Sequence, residues 1–517
     1  MRLIHRVRPG GLLLLSGLLV ACEDFEESGR DGGMIDAAVV GPTVPRTCEE
    51  AATRSSYVGC DYWPTVLANE VLPLFDYAVV VANAGTETAN ITVTGPNGVN
   101  RTATVMPDSL ATIYLPWVDA LKQGTITAGC AGVPFGSIKV ARGAYHLVST
   151  RPVSVYQFNA LEYKSVGGPP GRDWTTPCAP GPFCNGGNCL SHSNDASLLL
   201  PSTAMTGNYR VAGQTAQSEG SYFTITGTQD GTTVTVKLGT AGKLVAGAGV
   251  PSAPAGGSVM LSLDAGDVAQ LFAAKGDDLS GSLVRADKPI QVMTGSPCHT
   301  APDGATFCDH LEESILPAEA LGKHYFVTVP TGPNAVAVGH IVRLYGHIDG
   351  THLTYAPATP PGAPATINAG DVVDLGKVGS DFEVKGDQAF IVGTLMLSAS
   401  LSDPMGSRGD PSQSFPVAVE QYRDNYVFLS PDDYDVSFAD VAAPQDASLT
   451  LDGMAVAGAP IPIGATGIVV HRLKLKSGAH RLRATKPVGI QVMGYGNATS
   501  YQFPGGGDYA HIAPLPK

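Results

Sequence analysis

Cys298-His299 and Cys308-Asp309-His310 place two thiols and two imidazoles in one short stretch, a donor set able to surround zinc. The simpler reading of the same residues is a disulfide between Cys298 and Cys308, with the histidines as loop residues. Compartment separates the two, because zinc needs both thiolates free and an oxidising space closes the bridge. Acidic turns at Asp264 and Asp267, at Asp277 and Asp278, and at Asp432, Asp433 and Asp435 offer the hard oxygens that calcium takes. None follows the spacing of a known calcium loop, and Asp favours turns for its own backbone hydrogen bonds, so solvated turns are expected. Arg408-Gly409-Asp410 is an adhesive tripeptide in animal matrix proteins. Here it runs on towards a strand at Phe415 and reads as a turn.

Other chemistry lacks a motif. GxSxG, HExxH, a Walker A loop and GxGxxG with its acid are all missing, which argues against hydrolase, zincin, nucleotide and dinucleotide readings. No catalytic residue, no metal ligand and no cofactor is assigned, and the chain is expected not to be an enzyme. A net charge of −14 with no cluster of Lys or Arg argues against nucleic acid, whose phosphates would be repelled. Trp63 and Trp117 are expected in a core, and Trp174, in a Gly-Pro loop, is equally suited to a surface contact.

The elements that must carry these residues are short strands. Gly 62 and Pro 39 in 517 residues, with only 15% charged, make a turn-rich chain, and no long segment keeps a 3.6-residue period. The fold class is all-β, with about three to four domains at this length. The stretch GSLVRADKPIQVMTG at residues 281–295 has apolar alternation on both sides of Pro289, which predicts a short β-hairpin. It returns as AYHLVSTRPVSVYQF at 144–158, as HRLRATKPVGIQVMGY at 480–495 and, without the proline, as DFEVKGDQAFIVGT at 381–394. Four copies predict four related units.

Each unit also opens in a similar way. Leu200-Pro201 is followed eight residues after the proline by Tyr209, and Leu316-Pro317 eight residues after it by Tyr325. Phe415-Pro416 precedes Tyr426 by a slightly longer spacing, and Trp63-Pro64 with Tyr77 is the counterpart in the first unit. An Asp-Gly turn then appears at Asp230-Gly231 and Asp349-Gly350, with Asp452-Gly453 a looser relative. A Gly-Asp turn follows at Gly266-Asp267 and Gly370-Asp371. The expected organisation is tandem β-sandwich-like units over 48–164, 195–300, 301–400 and 401–517, with a Cys/Gly/Pro-rich loop over 165–194. The period of about 100 residues is too long for a solenoid, so each unit is expected to own a core and the interfaces to be binding surfaces.

Ahead of them, residues 1–22 read as a targeting signal. Arg2, Arg6 and Arg8 precede an apolar run over 12–20 and the small-residue site Leu19-Val20-Ala21-Cys22, which resembles a bacterial lipobox. By that resemblance Cys22 is the lipidated mature N-terminus, and residues 23–47, too poor in apolar surface to pack, form a disordered tether. The expected location is the bacterial cell envelope, lipid-anchored at an outer membrane or cell surface. Eight of nine cysteines then remain, an even number for an oxidising compartment. Cys298 with Cys308 and Cys48 with Cys60 are the best pairs because each closes a short loop, and Cys130, Cys178, Cys184 and Cys189 share the other two bridges with connectivity open.

The stretches LLPSTAMTGNYRV at 199–211, DHLEESILPAEALGKHYFVTVP at 309–330, GDPSQSFPVAVEQYRDNYVFLSP at 409–431 and YQFPGGGDY at 501–509 together resemble the IgG Fc-binding protein N-terminal domain family, over roughly 195–509. The resemblance implies an extracellular β-domain array that binds a protein or glycan partner, with IgG Fc as a partner by resemblance only and adhesion as the purpose. It carries over no contact residues. Two other readings are an extracellular hydrolase or glycan-processing enzyme with paired carboxylates between units, and a structural envelope spacer.

Overall fold

The computed structural model of the chain describes residues 44–126, 132–174, 184–185, 188–510 and 512–514. Cys22 and most of the tether, like Cys130 and Cys178, lie outside the described residues. Among the described residues no helix is long and apolar enough to cross a membrane. The body over Gly41–Lys517 is one compact unit built almost wholly from antiparallel strands.

Eight strands make the second sandwich. Asn208–Arg210, Leu283–Ala286, Thr232–Lys237 and Ser258–Leu263 form one sheet in that order. Asp309–Ser314, Ile290–His299, Tyr222–Gly227 and Val268–Phe272 form the other. The third sandwich repeats both orders strand for strand, from His324–Val327 to Gln413–Ser414. Alternation explains the layering: Thr232–Lys237 turns Thr232, Val234 and Val236 inward and leaves Thr233 and Lys237 exposed, and it packs on Phe223 and Ile225 of the facing sheet.

The recurring motif is not a hairpin. Leu283–Ala286 and Ile290–His299 do not pair with each other but lie in opposite sheets. The same holds for Phe382–Gly386 and Phe390–Met396, while His146–Asn159 and Gly478–Gly496 are single bent strands that serve one sheet with each half. The proline, which cannot donate to a ladder, marks the point where the chain leaves one sheet for the other. Periodicity alone could not tell the cases apart, because inward and outward positions alternate on both sides of either a turn or a switch.

The signature tyrosine holds this switch. Tyr209 Oη donates to the carbonyl of Ile290 at 2.6 Å, Tyr325 Oη to Phe390 at 2.8 Å, and Tyr426 Oη to Val488 at 2.5 Å. In the first unit the equivalent donor is Tyr62, to Val153 at 2.5 Å, and not Tyr77, whose hydroxyl bonds to the Gln157 side chain. In each unit the acceptor immediately follows the proline or, at Ala389, its replacement.

The Gly-Asp turns of the second and third units match bond for bond. Asp264 Oδ1 accepts from the Gly231 amide at 2.8 Å and Asn368 Oδ1 from Gly350 at 3.0 Å. Asp230 Oδ1 accepts from Ala265 at 3.1 Å and Asp349 Oδ1 from Ala369 at 3.0 Å. Gly266 at φ 82° and Gly370 at φ 86° occupy the left-handed position that a side chain would strain. Asp264 is thus spent on the backbone, as its turn reading expects, whereas Asp267 is buried, accepts from the Arg142 and Asp264 amides at 3.0 and 3.2 Å and pairs with Lys139 at 3.2 Å.

The four sandwiches close into a four-bladed ring. Tyr222 Oη bonds to the Ala68 carbonyl at 2.8 Å between the first and second, and strand Ile138–Val140 adds an edge to the second blade's sheet. Arg343 meets Asp278 at 2.5 Å between second and third. Arg472 bridges Asp381 and Asp440, at 3.0 and 2.9 Å, between third and fourth. Tyr163 Oη and Lys164 Nζ reach Asp435, at 2.8 and 2.7 Å, between first and fourth. The first and last segments of the ring also meet, since the Tyr57 amide donates to Gly507 and the Tyr509 amide to Ser55. The blade cores are partly fused: one apolar cluster joins the first and fourth sandwiches, whereas the third has its own around Val342, Leu344 and Phe390.

Candidate functional site at the mouth of the ring

The strand ahead of each of the last three signatures, together with the closing strand of the fourth sandwich, pairs with the sandwich before it and lies at the centre. These strands are Asp195–Leu198, Asp309–Ser314, Gln413–Ser414 and Thr499–Pro504. Three aspartates at corresponding positions, Asp195, Asp309 and Asp410, are fully buried there. Asp195 accepts from Ser412 Oγ at 2.6 Å and from the Glu312 amide at 3.0 Å, and Asp309 from Thr499 Oγ at 3.1 Å and the Ser500 amide at 3.2 Å. Each of these two carboxyls therefore ties its strand to strands of other blades, and the four strands together form an axle.

The axle is acidic, and its carboxyls form no ion pair with Lys or Arg among the described residues. Burial raises the pKa of Asp195, Asp309, Asp410, Glu312 and Glu313 well above the usual carboxylate range, and at Asp309 the neighbouring Asp410 and Asp195 add to the effect. Glu312 still accepts from Gln157 Nε2 at 3.3 Å and from Asn159 Nδ2. His310, 3.4 Å from Glu312, is kept neutral, with burial lowering its pKa to about 3.

Above one end of the axle opens a cavity of about 690 Å³ to which all four blades and the 165–194 loop contribute. Glu70 and Thr125 line it from the first blade, Glu219, Cys298, Phe307 and Cys308 from the second, Ser407 and Asp410 from the third, and Asn497 from the fourth. His192 joins from the loop, with Nδ1 3.1 Å from the Asn497 carbonyl, and burial lowers its pKa. Burial, reinforced by Glu219, raises the pKa of Glu70. Asp410 Oδ2 has no hydrogen-bond partner among the described residues.

The Cys298–Cys308 disulfide forms one wall, and the cysteines predicted to pair do so, as do Cys48 and Cys60. The zinc alternative falls with it, because the bridge leaves neither thiolate free; His299 is buried beside it, its pKa lowered to about 3 by burial. Cys189 is also disulfide-bonded, while of Cys184 only the backbone, paired opposite Cys189, is described. Phe307 stands beside the bridge, 48% exposed and at φ 71°, a left-handed backbone that a bulky side chain rarely adopts. Its carbonyl accepts from Ser398 Oγ at 3.1 Å, so the loop carrying Leu401, 40% exposed, and Met405, 98% exposed, lies alongside.

Other candidates are absorbed by the fold. Asp278 is an interblade ion-pair partner, and Asp410 of the Arg-Gly-Asp tripeptide is buried, which removes its adhesive reading. Trp63 is buried, Trp117 bonds to the Phe75 carbonyl at 2.8 Å, and Trp174 packs on Phe75. The convergence of Asp195, Asp309 and Asp410 was missed from sequence, although each precedes its signature proline by a similar interval.

Residues 195–494 match the family described as "IgGFc binding protein". Over 122 residues, 24% of this chain, the sequence is 34% identical to the human IgGFc-binding protein, of whose length the match spans 2%. Among solved structures, an anti-sigma factor domain-containing protein from Clostridium clariflavum aligns over 83% of this chain and 98% of its own, at 10% identity and a TM-score of 0.11. A tetra-tandem repeat from the extending region of a large adhesion protein aligns over 87% and 100%, at 11% identity and a TM-score of 0.09. Scores of that size describe no shared architecture.

Proposed function

Because the chain belongs to the IgGFc-binding protein family through residues 195–494, we propose that it is a binding protein and not an enzyme, and that an extracellular protein partner seats on the mouth of the ring. The observation that carries this reading is Phe307, an exposed aromatic on strained backbone at the rim of the cavity that all four blades share. Leu401 and Met405 stand exposed on the loop that Ser398 ties to Phe307, and Glu70, Glu219 and Asp410 make the cavity lining acidic. Adhesion at a bacterial cell surface, with Cys22 carrying the lipid anchor, is the purpose that fits such a module. A glycan partner is the competing ligand class.

The test immobilises the protein and measures capture of immunoglobulin Fc, of envelope proteins and of envelope glycans, with Phe307→Ser beside the unaltered chain. Protein capture that falls about tenfold or more in the variant, at unchanged melting temperature, is expected. Capture of glycan alone, or protein capture indifferent to Phe307, would overturn the assignment.

A further inference from the structure

A second cavity of about 630 Å³ lies in the cleft between the first and fourth blades and shares no lining residue with the mouth. The first blade presents Thr112 and Tyr114 of strand Ser109–Leu115 and the segment 161–168, and the fourth presents residues 429–435. Among the described residues, four carboxylates line it, Glu162, Asp432, Asp433 and Asp435, against a single cation, Lys164. Lys164 is engaged with Asp435, and the nearby Arg172 is paired with Asp76 outside the lining.

Two residues of this lining hold a polar atom without the bonds that burial demands. Glu162 is 5% exposed. Its Oε1 accepts from Tyr114 Oη, but its Oε2 has no hydrogen-bond partner among the described residues, although the Gly168 amide lies near the carboxylate. Tyr434 is 8% exposed and its hydroxyl is likewise without a partner among the described residues, but its charged neighbours include the axle carboxyls Asp309 and Asp195 and its ring packs on the buried Tyr501, so it is turned towards the axle. A buried carboxylate oxygen left bare is costly, and native folds rarely leave one without a reason. Asp433, by contrast, is satisfied by the Tyr163 and Lys164 amides at 2.6 and 3.2 Å.

We propose that this cleft binds an organic ammonium or guanidinium group, donated to Glu162 Oε2, from a free polyamine or from a Lys or Arg side chain of a partner. The ligand supplies the donor that Glu162 Oε2 lacks and the positive charge that four carboxylates and one engaged lysine leave unbalanced. A bare metal ion fits less well. The cavity far exceeds one ion, and among the described residues no three His, Cys, Asp or Glu side chains are grouped to hold a metal. Glu162 and Asp433 agree with this picture: burial raises their pKa to about 7 and about 6, and the one cation of the lining is paired with Asp435 instead. A bound ammonium favours ionised Glu162, so binding near neutral pH releases a proton.

Calorimetric titration of the full chain at pH 7 with spermidine, with an Arg-containing tripeptide amide, with calcium chloride and with a neutral oligosaccharide tests the site. Two buffers of different ionisation enthalpy count the protons released. Spermidine or the tripeptide is expected to bind with proton release, and whichever binds identifies the source. Glu162→Gln is expected to weaken binding at least tenfold and abolish the release without lowering the melting temperature. The proposal falls if neither cation binds at millimolar concentration, if Glu162→Gln binds as tightly, or if calcium or the sugar binds in their place. Mouth variants such as Phe307→Ser leave this titration unchanged, so the two sites fail independently.

Discussion

The hearts of the four sandwiches and the axle between them are equally hidden from water, yet they are built from opposite materials. Inside the second blade, Phe223, Ile225, Val234 and Val236 meet as a dry apolar layer. At the axle the contacts run through Asp195, Asp309, Glu312 and Ser412. Apolar packing is tolerant of which surface it meets, whereas a carboxyl with two defined donors accepts one register only. The contrast teaches where each kind of burial is useful: apolar layers supply the stability of a blade, and the polar axle specifies how four similar blades meet. Three changes test that division.

Phe223→Ala strikes the apolar side and is expected to have the largest effect, about 3–5 kcal/mol of lost stability by denaturant unfolding, similar at every pH. Glu312→Gln strikes the polar side. Because burial raises the folded-state pKa above the usual 4.5, the stability contributed by this carboxyl is complete below about pH 4.5 and is lost as pH rises towards its folded value. Unfolding from pH 4 to pH 8 should therefore show the variant equal to or weaker than the unaltered protein at pH 4 and more stable at pH 8, by about 1–3 kcal/mol. A uniform loss at all pH values would mean that the axle carboxyls are ionised and paired, and the contrast would fail. Tyr209→Phe removes only the bond that holds the sheet switch and should cost about 1 kcal/mol, read as a small fall in denaturation midpoint.

The apolar side of this contrast was legible in the sequence and the polar side was not. Alternation in Thr232–Lys237 and the repeated Gly-Asp turns announce strands, repeats and an all-β fold, because they are local signals. The pairing of Cys298 with Cys308 followed from loop length and compartment. The partner of a strand is not local information, so the stretch around Pro289 read as a hairpin although its halves serve different sheets. In the first blade the equivalent of Tyr209 is Tyr62, ahead of Trp63-Pro64 and not after it, because there the signature order differs. The axle escaped notice because Asp195, Asp309 and Asp410 each look like a turn residue before an apolar run. Glu162 and Asp433 share a cleft only because the ring closes.

The contact of Ser55 and Tyr57 with Gly507 and Tyr509 has a practical meaning. Where beginning and end of a closed circle lie side by side, the point at which the polypeptide is cut becomes a free choice. A rearranged gene that fuses the C-terminal segment to residue 44 through a short flexible linker, and opens instead at the exposed Pro361-Gly362 turn, would be a circular permutant with the same four blades.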